Sequence, residues 1–211
     1  MLYPETIDPS TLGLLKSLQS KSYLDDFYLA GGTALALYYG HRKSIDIDLF
    51  TNKNFDTQQM IESVQQDFSL QLFYTAANTI KGSISNINVD VIAHRYPYLN
   101  DPVLKDGIRI LSESDIIAMK LNAISTSGQR SKDFIDIYFA LEKYQISSML
   151  LFYQKKYNQH GDMQVLKSLV YFDDVDLSDW PVLIKETDLT WALVKKRIEK
   201  EVLHFIKKNN D

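Results

Sequence analysis

The sequence predicts an α+β protein, with a lobe of mixed strands and helices followed by a lobe of helices alone. Three observations predict it. Strand-like and helix-like segments alternate through about residue 111. From Ser112 onward only helical patterns follow, and strands first with helices after is the mark of an α+β arrangement. The chain has 211 residues, 45% of them apolar, enough for one sizeable core or for two small lobes sharing an interface. The expected seam lies near Asp101 to Glu113, dividing residues 1–111 from residues 112–211.

Taken in order, Pro9-Ser10 opens a helical stretch, Thr11 to Tyr23. Asp26–Ala30 reads as a buried strand stopped by Gly31-Gly32. Thr33–Tyr39 is a short apolar helix, with Gly40 suited to the left-handed position that ends many helices. Ile45–Thr51 is a second strand. Met60, Ile61, Val64 and Phe68 share helical spacing in a helix from Asp56 to Phe68, with Thr57 as its candidate cap. Leu70–Thr75, Thr79–Ile84 and Asn86–Ala93 are strands separated by short polar turns, which predicts a hairpin or meander. Gly107–Leu111 adds a short strand. The helices that follow are Ser114–Thr126, Ser131–Tyr144, Ile146–Asn158, Asp162–Phe172 and Leu189–Lys208.

Composition removes several classes of function. With no cysteine there are no disulfides, no thiolate chemistry and no Cys-type zinc site, which fits a reducing compartment. The start of the chain lacks a basic segment followed by an apolar one, and no run reaches membrane-spanning length, so a soluble cytoplasmic protein is expected. A net charge of −4 is not that of a protein built to coat nucleic acid. His41, His94, His160 and His204 show no zinc-binding spacing, and no GxSxG elbow, GxGxxG or P-loop string is present.

What remains is acidic. Asp46 and Asp48 alternate with Ile45, Ile47 and Leu49, so the two carboxylates share one strand face. Aspartate is depleted in strands, and two so close repel unless a cation lies between them. They are either an exposed strand edge or a site for a hard divalent cation, which takes carboxylates together with substrate phosphates. Asp90 interrupts the apolar strand Val89-Asp90-Val91 in the same manner. Three such acids on neighbouring strands would suit the two-metal clamp of phosphoryl transfer. Gly31-Gly32-Thr33 closes a strand and opens a helix, where backbone N–H groups and the positive helix end face an anion.

Two charges sit where apolar residues are expected. Lys120 falls within the stripe of Ile116, Ile117, Ala123 and Ile124, so it must snorkel, shift its pKa or meet an anion. Asp133 and Asp136 share a helix face, and Asp136 lies inside an apolar helix. Asp136 therefore needs a partner, with Lys120, Arg130 or a bound ligand as the choices. Asp133 near the helix start could instead complement the helix dipole.

Three strings, GGTALALYYGHRKSIDIDLF, NVDVIAH and DIIAMKLNAISTSGQRSKDFIDIYFAL, resemble the AbiEii/AbiGii toxin family of nucleotidyltransferases, minimal members of the DNA polymerase β-like superfamily. They span about residues 27 to 141. The resemblance implies a small mixed sheet flanked by helices and a helical C-terminal lobe. It implies that Gly31, Gly32 and Thr33 hold a nucleoside triphosphate through backbone amides. Asp46 and Asp48 would bind Mg²⁺ (or Mn²⁺), and Asp90 would share a metal and help deprotonate the acceptor. Lys120 would neutralise triphosphate charge, with Asp133 or Asp136 orienting it or touching the nucleotide. Arg42 and Ser44 would contact phosphate or fix the turn into the strand. The implied partners are an NTP, an RNA (such as a tRNA 3′ end) or protein acceptor, and a cognate antitoxin. A nucleotide- or partner-binding protein of the same fold without turnover, and a metal-dependent phosphoesterase, are the alternatives.

Overall fold

A computed structural model describes residues 1–159 and 161–210; His160 lies outside the described residues. The helices are α1 (Pro9–Gln19), α2 (Gly31–Tyr39), α3 (Thr57–Asp67), α4 (Glu113–Thr126), α5 (Ser131–Ala140), α6 (Ile146–Tyr157), α7 (Asp162–Leu169) and α8 (Trp191–Asn210). The strands are β1 (Tyr28–Leu29), β2 (Ile47–Thr51), β3 (Leu70–Ala76), β4 (Thr79–Ile84), β5 (Ile87–Ala93), β6 (Val103–Lys105) and β7 (Ile108–Ile110). They form one mixed sheet in the order β3-β4-β5-β2-β1-β7-β6, so the architecture is α+β. None of the described helices is long and apolar enough to cross a membrane.

The expected meander is β3-β4-β5, antiparallel throughout. Ser85 and Asn86 make its two-residue turn with positive φ at each, the conformation that matches strand twist. Asp106-Gly107 does the same between β6 and β7. Strand β6 is absent from the sequence reading, although Asp-Gly between two short apolar runs is a hairpin signal.

Several boundaries differ, each for a local reason. The first helix ends at Gln19 and a separate 3-10 turn spans Ser22–Leu24. The Phe27 amide then bonds back to Leu24, leaving only Tyr28–Leu29 extended. Asp56, not Thr57, caps α3, its carboxylate accepting from the Gln59 amide at 2.9 Å. The Thr57 hydroxyl instead donates to Ala76 and accepts from Asn78, tying the helix to the meander. Ile45 precedes the strand and is 59% exposed, because the backbone before Ile47 is held by Thr6 and Thr33 instead of a neighbouring strand.

Helix α2 starts at Gly31, two residues earlier than expected, and ends at Gly40 with φ +68. It is the central helix of the fold, its residues Thr33 to Tyr39 all buried. It packs on α4 and α5, and one apolar cluster runs from Leu29, Leu35 and Leu49 to Phe134, Leu150 and Val194. The segment between α7 and α8 returns across the molecule. Asp176 bonds to the Gln129 carbonyl, and the amides of Lys43 and Ile184 exchange with Val182 and His41.

Candidate active site

Strands β2 and β5 run parallel, with Asp48 directly opposite Asp90. The hydrophobic partners in this register, Ile47 with Val89 and Leu49 with Val91, are buried on the other face. Core packing therefore determines that the acids point away from it. Asp46, Asp48 and Asp90 line one cavity of about 280 Å³, together with Asn88, Lys81, Arg130, Phe73 and Tyr74.

The carboxylates are engaged by separate neighbours. Lys81 Nζ donates to Asp90 at 2.7 Å and Asn88 Nδ2 to Asp46 at 3.0 Å. Asp48 leans on Gly31: a Cβ there would stand 2.0 Å from its Oδ2. Burial pushes the Asp48 carboxyl up to about 6, and the charge of Asp90 reinforces it. A group so placed is short of positive charge. Among the described residues no three His, Asp or Glu side chains stand ready as a metal cage. The oxygen-only donor set and the unmet charge at Asp48 nevertheless fit a hard cation that takes one or two carboxylates and completes its shell with phosphate.

Beside the acids stands the N-terminus of α2. Gly31 adopts φ +67, which favours glycine, and the same residue must lack a side chain to admit Asp48. At Gly32 a Cβ would lie 2.3 Å from Nη2 of Arg42. Among the described residues no side chain caps this helix, so its first-turn amides have no side-chain acceptor. Thr33 is turned inward, its hydroxyl bonded to that of Ser44 at 2.7 Å and to the Asp46 carbonyl. Thr33 and Ser44 thus hold the approach to β2.

Behind the glycines lies a buried ion network. Asp136 Oδ1 accepts from Arg42 Nε and pairs with His41 Nε2, each at 2.8 Å; its Oδ2 accepts from Arg42 Nη2 at 3.0 Å and Lys120 Nζ at 2.8 Å. Lys120 also reaches Asp133 at 2.5 Å. Burial alone would raise Asp136, but Arg42 and Lys120 hold it well below the usual carboxylate range. Burial likewise works to lower Lys120, and Asp133 and Asp136 outweigh it. Burial lowers the His41 pKa, outweighing the opposite pull of Asp136. Two cations meet two carboxylates, so the buried charges balance.

Among the choices for Asp136, the structure selects Lys120 and adds Arg42 and His41. Arg130 instead lines the acid cavity. Lys120 has three donors, two of them engaged. With Gly31 and Asp133 it also lines a second cavity of about 230 Å³, walled by Phe50, His94, Met119, Asn122 and Tyr157. The two cavities adjoin where Gly31 touches Asp48. Sequence reasoning passed over His41, Lys81, Asn88 and the Phe73-Tyr74 pair. Lys81 alone had a usable signal, since the Ser85-Asn86 turn pairs it with Asp90.

The family model described as "Nucleotidyl transferase AbiEii toxin, Type IV TA system" matches residues 13–69 and 61–205. An uncharacterized protein of Aquifex aeolicus (strain VF5) is 31% identical over 198 residues, covering 91% of this chain and 94% of that protein. The fold is similar to that of a candidate nucleotidyltransferase from H. pylori, with TM-score 0.54 and 16% identity over 95% of this chain and 98% of that one. It is also similar to MenT4, a nucleotidyltransferase toxin from Mycobacterium tuberculosis H37Rv. There the TM-score is 0.52 and the identity 15%, over 90% of this chain and 82% of that one.

Proposed function

This chain belongs to the AbiEii family of nucleotidyltransferase toxins, and we propose that it transfers a nucleoside monophosphate from an NTP to an acceptor hydroxyl at Asp46, Asp48 and Asp90. The observation that carries this reading is Asp48 opposite Asp90, immediately in front of the bare α2 N-terminus. Acids for a cation and amides for an anion meet there. Residues 1–111 would act as the lobe that furnishes both, and residues 112–211 as the helical lobe that furnishes Lys120, Asp133 and Asp136.

The cation would be Mg²⁺ or Mn²⁺, held by Asp46, Asp48 and Asp90 with phosphate oxygens. It would supply charge neutralisation at the α-phosphate and lower the pKa of the attacking hydroxyl. The chain's own groups do the rest. First-turn amides of Gly31, Gly32 and Thr33 receive the triphosphate, and the remaining donor of Lys120 faces it from the adjoining cavity. The acceptor oxygen bonds to the α-phosphorus as the bond to the bridging oxygen breaks and pyrophosphate leaves. Asp90 takes the proton. Arg42, Ser44 and Asp136 act by positioning: Arg42 and Asp136 shape the turn around Gly32 and aim Lys120, and Ser44 fixes the approach to β2.

The acceptor is an RNA, a tRNA 3′ end among them, or a protein, and the family's toxin character points to a cognate antitoxin. An NTP substrate makes the cytoplasm the compartment that this reading implies. Incubation with each α-labelled NTP and total cellular RNA and protein tests the reading. One class of macromolecule should gain label with wild-type chain and not with Asp46→Ala. Equal labelling by the two would overturn it.

A further inference from the structure

Strand β3 is an edge of the sheet, and three successive apolar residues on it face water. Leu72, Phe73 and Tyr74 are 40%, 65% and 55% exposed. An apolar edge of this kind invites unwanted pairing, and an exposed apolar patch beside a cavity marks a binding surface. The register accounts for the direction of the rings. Leu72 pairs with Gly82 and Tyr74 with Lys81, so Phe73 is the extra residue of a β-bulge. Regular alternation would send residues 73 and 74 to opposite faces. The bulge breaks that alternation, and both residues line the cavity of Asp46, Asp48 and Asp90. Gly82 permits the close strand approach beneath them, since a Cβ there would lie 2.4 Å from the Gln71 carbonyl oxygen.

We propose that Phe73 and Tyr74 form a stacking platform for a nucleobase at the transfer site. The inference rests on the nucleotidyl-transfer reading and names two residues and a ligand class for that site. Every base presents a π-face, so an aromatic pair accepts bases with little sequence preference. Lys81 and Arg130 line the same cavity and supply cations for the phosphates flanking a stacked base. A base arrives here on either of two carriers, the NTP or the 3′ end of a single-stranded RNA acceptor.

The test is 2-aminopurine fluorescence, which falls when the base stacks on an aromatic ring. One probe is 2-aminopurine riboside triphosphate; the other is a six-nucleotide single-stranded RNA with 2-aminopurine at its 3′ end. Each is titrated alone against the full chain with Mg²⁺, so the readout is binding without turnover. At least one probe should be quenched. Phe73→Ala and Tyr74→Ala should each weaken its binding about tenfold, and Phe73→Trp should restore it. Affinity for inorganic tripolyphosphate and the melting curve should be unchanged, since both side chains are exposed. Quenching of the triphosphate assigns the platform to the donor base, and quenching of the RNA to the acceptor. Quenching of neither probe, or equal binding by wild type and both alanine variants, overturns the proposal. Either result leaves nucleotidyl transfer standing, provided Asp46→Ala still abolishes labelling. Ring-dependent binding by a chain that labels nothing would instead refute only the transfer reading.

Discussion

Gly31 and Asp48 occupy each other's space: a Cβ on the glycine would stand 2.0 Å from the carboxylate Oδ2. The glycine that opens α2 and the second aspartate of the Asp-Ile-Asp run are therefore one device. The helix end can come up to the acids only because Gly31 has no side chain and accepts φ +67.

Gly31→Ala should lose on both counts. Positive φ strains the alanine, and its methyl displaces the Asp48 carboxylate. Stability should fall by about 1–3 kcal/mol, and calorimetric affinity for an Mg²⁺–NTP complex should drop more than tenfold. Unchanged affinity in a folded variant would separate the glycine from the site.

Asp136→Asn should be among the most destabilising single changes in the chain. It leaves Arg42 and Lys120 buried with one carboxylate between them, at a cost of about 3–5 kcal/mol. Because the folded pKa of Asp136 lies below its ordinary value of 3.8, its contribution is present above that value and disappears as pH falls through the folded pKa. Urea unfolding at pH 7 and pH 3 should show the gap between wild type and variant narrowing in acid.

Asp48 has the opposite sign. Its folded pKa of about 6 exceeds the ordinary 3.8, so the folded chain holds the proton more tightly. Without a divalent cation, stability should fall as pH rises through that window. Asp48→Asn should be more stable than wild type at pH 7 by on the order of 3 kcal/mol. Added Mg²⁺ should stabilise wild type above pH 6 and leave the variant unmoved in thermal melts.

Lys81 competes for Asp90. Its ammonium lies 2.7 Å from Oδ2, and a cation binding that oxygen must displace it. Lys81→Gln should tighten Mn²⁺ binding severalfold, read by electron paramagnetic resonance. Weaker binding would mean that Lys81 assists the site.

Much of this was legible because misplaced charge has few remedies. Lys120 in an apolar stripe and Asp136 inside an apolar helix each required a partner, and they are joined at 2.8 Å. The shared face of Asp46 and Asp48 follows from strand alternation. Their relation to Asp90 depends on a parallel pairing across some forty residues, which no local pattern encodes. The bulge at Phe73 is illegible for the same reason, since it exists only against Gly82 and Lys81. His41 carried no motif spacing, and its role follows solely from the buried carboxylate it meets. Sequence-read boundaries ran long at Tyr144 and Phe172, where hydrogen-bonded turns follow the helix ends at Ala140 and Leu169 and apolar side chains go on packing against the core.

The central claim is nucleotidyl transfer at the three acids, and the most direct test uses one NTP labelled in two places. With α-labelled NTP, wild-type chain and Mg²⁺, label should enter the acceptor, while γ-label should leave as pyrophosphate. Asp46→Ala should abolish the first signal. Transfer of γ-label, or α-label transfer by Asp46→Ala at the wild-type rate, would contradict the account.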